Sequence, residues 1–67
     1  MKANLLKSEI VKNGLTQEDI AKALGMSKNT FTSRLKGRSS FGLDEASKIC
    51  EILHIEDKDL KVAIFFD

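Results

Sequence analysis

Sixty-seven residues, 42% of them hydrophobic and 31% charged, describe one globular domain near the lower size limit for an independent core. A single cysteine excludes an internal disulfide, a single histidine beside it leaves no zinc set, and an enzyme cleft of ordinary size does not fit, so neither metal, cofactor nor enzymatic role is expected. The net charge is only +1 but divided: residues 1–43 hold eight basic side chains against three acidic, giving +5, and residues 44–67 hold three against seven, giving −4.

No proline interrupts the chain. A first helix is expected over about residues 4–13, burying Leu6 and Ile10 with Val11 beside them and stopping at Gly14. Leu5-Leu6 after Lys2 is too short an apolar run for a leader or a membrane span, and a cytoplasmic location is expected.

Two short amphipathic helices follow, over about residues 17–24 and 28–36. Thr16 suits the N-cap of the first, with Asp19 at its third position and Leu15 placed to staple onto Ile20. Ser27 repeats the pattern for the second, with Met26 and Phe31 as its staple. Gly25 falls where the chain must turn left-handed between them, and Gly37 closes the second helix in the same way. Ile20, Ala21 and Leu24 form one apolar stripe and Phe31 and Leu35 another, so each helix has a face to bury, and the methyl of Ala21 permits a close crossing.

Lys28, Asn29, Thr32, Ser33 and Lys36 are expected on the outer face of the second of these helices, with Arg34 at the border of its buried face. No acidic residue occurs between Asp19 and Asp44. A solvated charged face is the plain reading of such a helix. The missing counter-charge, and small serine and threonine residues where they are mediocre helix formers, favour a surface made to approach DNA in the major groove.

Beyond it, Arg38-Ser39-Ser40-Phe41-Gly42 reads as a loop in which Phe41 plugs the core. A fourth helix over about residues 43–53 places Ala46, Ile49 and Leu53 around Cys50, which marks the thiol as a small buried hydrophobe rather than a reactive group. His54 and Cys50 make no convincing catalytic pair. Glu56, Asp57 and Asp59 read as an acidic helix start rather than a metal site, with Ile55 and Leu60 spaced as a third staple. The end of this fifth element, Val62-Ala63-Ile64-Phe65-Phe66, reads equally as helix or extended chain.

Leu15-Thr16-Gln17-Glu18-Asp19-Ile20-Ala21, with Gly25-Met26-Ser27 and Gly37, resembles the phage-repressor and Cro-like helix-turn-helix regulators over about residues 6–60. The resemblance implies an all-α, compact five-helix domain filling residues 1–67, its second and third helices forming the helix-turn-helix, and a dimer bound to operator DNA. Position by position it implies that Gln17 touches a phosphate and braces the third helix, that Lys28 and Asn29 read base edges first, and that Thr32 and Ser33 read later ones. Ser27, at the head of that helix, is included in the interface. Lys28 suits guanine acceptors, Asn29 a bidentate bond to adenine, and Thr32 a thymine methyl. Lys36, Arg38 and the loop serines are expected to hold phosphates, with Arg34 snorkelling toward another. Many members pair an arginine in the first helix with a glutamate late in the third. The matching positions here, Ile10 and Leu35, are both aliphatic, as expected of side chains that touch.

A lone domain grips one half-site with few contacts, so a homodimer is expected, through Ile52, Val62, Ile64, Phe65 and Phe66, with residues 60–67 as its tail. The alternative is that the tail folds back onto its own helices. The function expected is a sequence-specific transcriptional regulator, a Cro-like repressor of phage or prophage on a palindromic operator. A protein-interaction adaptor with the same fold is the alternative, favoured by the apolar and acidic C-terminal part.

Overall fold

Five helices follow one another in the computed structural model, which describes residues 1–37 and 41–66. They are α1 (Ala3–Lys12), α2 (Gln17–Ala23), α3 (Lys28–Leu35), α4 (Leu43–Ile52) and α5 (Lys58–Phe65). The expected all-α, five-helix order is the one observed. The ambiguous end of the chain is helical, because helical spacing carries Ile64 into the core while the Phe66 amide bonds the Val62 carbonyl at 2.9 Å.

Three helices stop by the same device. The amides of Leu15, Met26 and Ile55 reach back to the carbonyls of Ile10, Ala21 and Cys50 at 3.1, 3.0 and 2.9 Å, closing α1, α2 and α4. The residue before each of these amides is left-handed: Gly14, Gly25 and, after α4, His54 with φ 56°. A glycine adopts this conformation freely, whereas a histidine there carries a steric cost.

Leu6, Ile10, Ile20, Phe31, Ile49 and Ile64 are the largest fully buried side chains, at least one from each helix. Burial of each contributes about 1.5 to 3 kcal/mol. Among the described residues no polar or charged side chain is buried in this core. Ile10 and Leu35 lie in one apolar cluster, where a single remaining charge would be unpaired. α1 packs on α5, and the Lys2 amide donates to the Ile64 carbonyl at 2.9 Å.

Two expectations are corrected. Val11 is 74% exposed, because the buried stripe of α1 runs through Leu6 and Ile10 and turns the next position outward. The third staple is out of register: Asp57 caps α5 by accepting from the amides of Asp59 and Leu60, so Leu60 is the third helical residue rather than the fourth. Ile55 is buried instead as the residue that closes α4.

Candidate nucleic-acid interface

α2 and α3 pack directly on one another. Thr16 and Asp19 cap α2 reciprocally: the Asp19 amide donates to the Thr16 hydroxyl at 3.1 Å, and the Thr16 amide to the Asp19 carboxylate at 2.8 Å. Hydrogen bonding from Thr16, its backbone amide first and its hydroxyl second, holds the Asp19 carboxyl below the usual aspartate range. Leu15 and Met26, the outer halves of the two staples, pack against the cluster that contains Ile20 and Phe31. Ala21 is buried.

Gly25 turns the chain with φ 72°, and Ser27 then caps α3 by accepting from the Thr30 amide at 3.1 Å. The Ser27 hydroxyl also donates to the Thr30 hydroxyl at 3.0 Å, so its proton is already engaged within the protein. Phe31 and Leu35 bury the inner face of α3. The helix is thereby fixed at its head by a cap and along its length by two apolar anchors.

Lys28 and Asn29 are exposed at the head of α3 and Lys36 at its end. Thr32 and Ser33 are half-buried rather than fully outward, and Gln17 is half-buried at the first position of α2. Thr30, which did not figure among the expected contacts, is exposed beside Asn29. Its signal was present in the helical period: one position before the buried Phe31, it lies off the inner face. Arg38, Ser39 and Ser40 lie outside the described residues.

Arg34 is directed to another partner. Its guanidinium donates to Glu45 Oε1, which also accepts from the Gly42 amide at 2.9 Å at the start of α4. Arg34 Nε is buried with no hydrogen-bond partner among the described residues. Nothing in the spacing of Arg34 and Glu45 announced their meeting, because it depends on how the chain returns between α3 and α4.

Leu43, Ala46 and Cys50 of α4, Lys61 and Phe65 of α5 and the following Phe66 line a groove of about 270 Å³. Leu43, Phe66 and Val62 are 74%, 63% and 48% exposed. Of the residues expected at a dimer contact, Ile64 is corrected: it is fully buried, because it faces inward from the last turn of α5. Ile52 and Phe65 are half-buried against the core, and exposed Leu43 was not among the residues expected on such a surface. Burial raises the Cys50 thiol, partly countered by Lys61. Among the described residues no group of three or more histidine, cysteine or acidic side chains is gathered to hold a metal ion, and no helix is long and apolar enough to cross a membrane.

The capped α2, the left-handed turn at Gly25 and the anchored α3 define a helix-turn-helix DNA-binding domain. A family model described as helix-turn-helix matches residues 6–60, and the chain belongs to that family, in its Cro-like form. No curated protein and no solved structure matches the chain.

Proposed function

We propose that this chain is a sequence-specific transcriptional regulator, a Cro-like repressor of phage or prophage type, acting in the cytoplasm as a homodimer on a palindromic operator. The observation that carries the reading is the head of α3, where Lys28 and Asn29 stand exposed on a helix capped by Ser27 and anchored by Phe31 and Leu35. In this reading Lys28 and Asn29 meet base edges first, Thr32 and Ser33 meet them later, and exposed Thr30 borders them. Gln17, Lys36 and Arg38 hold phosphates, and the Ser27 hydroxyl oxygen lies at the edge of the interface. The absence of acidic residues between Asp19 and Asp44 supports it, since no carboxylate in that stretch repels the backbone of a duplex.

The dimer is supported by size and by exposed apolar surface. The longest extent of the domain is 28 Å, whereas palindromic half-sites lie about 34 Å apart. One copy therefore serves one half-site. Leu43, Val62 and Phe66 expose the apolar surface through which a second copy would pack. The same surface favours the adaptor as a second reading, in which the groove receives another protein and α3 reads nothing.

Selection of bound fragments from random-sequence DNA at low salt separates the two. An enriched palindrome with halves one helical turn apart supports the regulator. No retention of any fragment at low salt overturns it in favour of the adaptor.

A further inference from the structure

We propose that Glu45 is a positioning residue for DNA binding: it withholds Arg34 from the phosphates and uses it to fix the end of α3 against the start of α4. The inference rests on the operator-binding reading above. One carboxylate oxygen, Oε1, accepts from both the Gly42 amide and the Arg34 guanidinium. Arg34 belongs to α3 and Gly42 immediately precedes α4, so a single side chain joins the two helices.

The pair is shielded on both sides, with the Arg34 and Glu45 side chains only 24% and 28% exposed. Buried Arg34 Nε bears on the alternative: an arginine extended toward a phosphate keeps its charged head in water, whereas this one is drawn inward. Arg34 also lies between the buried residues Phe31 and Leu35 in sequence, so its tie to Glu45 adds a polar anchor beside the two apolar ones at the end of α3. Ile10 of α1 and Leu35 of α3 both lie in the apolar cluster, so the inner face of α3 is held by burial and not by charge. The charged tie on α3 is instead made by Arg34, and it faces α4.

The test is operator affinity as a function of salt, on the fragment selected by the unaltered protein, for Arg34→Met, Arg34→Lys, Glu45→Gln and the double variant Arg34→Met/Glu45→Gln. Glutamine still offers an oxygen to the Gly42 amide but lacks the charge. Arg34→Met and Glu45→Gln are each expected to lose about tenfold in affinity, and the double variant about tenfold rather than a hundredfold, because both remove one coupling. Arg34→Lys, which still pairs with Glu45, recovers most of the loss. The salt slope of Arg34→Met stays that of the unaltered protein. A slope shallower by about one would mean that Arg34 neutralises a phosphate, and would overturn the proposal. So would a hundredfold loss in the double variant. Circular dichroism of each variant checks folding, and should Arg34→Met not fold, Arg34→Lys and Glu45→Gln carry the comparison. Unaltered protein that binds no DNA defeats the operator reading and this inference together, whereas normal binding with independent losses defeats this inference alone.

Discussion

Phe41 lies against Phe31 with ring centroids 5.5 Å apart and planes inclined at 55°. Its other side meets Phe65 nearly edge-on, at 6.2 Å and 89°. Phe41 therefore joins α3 to the last turn of α5. Phe41→Ala is expected to destabilise the domain by about 2 to 3 kcal/mol, below the range for a fully buried ring because this one is half-buried. Urea denaturation monitored by circular dichroism measures it, and a loss under about 0.5 kcal/mol, the size of an ordinary surface change, would show that the ring is not a structural plug.

His54 occupies a left-handed position that Gly14 and Gly25 fill elsewhere in the chain. His54→Gly should stabilise the protein by about 1 kcal/mol, since glycine removes the steric cost while the backbone bonds that close α4 remain. In a domain of this size that raises the melting temperature by about 4 to 8 °C. A lower melting temperature would mean that the imidazole contributes more than its backbone costs.

Lys28→Ala and Asn29→Ala should each weaken operator binding by about 1 to 3 kcal/mol and relax the preference at different base pairs. Lys36→Ala should instead weaken binding evenly across sequences and lower the salt slope by about one. Selection repeated with each variant distinguishes the two behaviours. Unchanged selectivity in both head-of-helix variants would require another orientation of α3.

The depressed Asp19 carboxyl makes the cap of α2 sensitive to acid. A lowered folded value means that its contribution is complete above the ordinary aspartate range and is lost as pH falls through the folded value. Asp19→Asn should accordingly have a lower melting temperature than the unaltered protein near neutrality, with the gap closing in acid. A gap that stayed constant from neutrality to about pH 2 would contradict the linkage.

If a second copy packs on the exposed apolar surface, replacing Leu43 and Phe66 together by serine should convert the dimer to monomer while leaving the fold intact, because neither side chain belongs to the buried core. Sedimentation equilibrium reads the mass. Operator affinity should fall steeply and half-site affinity little. A dimer that survives the double substitution would place the contact elsewhere.

The helices and their caps were legible because each signal is local: Thr16, Ser27 and Gly25 act within a few residues of themselves, and the structure gives them the anticipated hydrogen bonds and turn. Phe41 could be assigned to the core since an aromatic ring flanked by small and charged residues has few other places to go. Two other features were not legible. Arg34 and Glu45 are joined across a connection whose path no spacing rule dictates. Ile64 and Phe66 differ only in which side of the last helical turn they occupy, and that could not be decided while helix and extended chain were equally compatible with the residues. On α3 the expected exposure of Lys28, Asn29 and Lys36 is the one observed, whereas Thr32 and Ser33 are half-buried and Thr30 is exposed, differences of degree that the helical period alone does not resolve.

The amide of Lys2 finds its acceptor on Ile64, and α1 packs on α5. A ribosome delivers the first of these partners long before the second. Until residue 64 has emerged, the cluster that buries Leu6 and Ile10 lacks one of its fully buried members. A chain stopped a few residues short of Ile64 would thus lose a fully buried part of its interior together with the acceptor of the Lys2 amide, and not merely a stretch of surface.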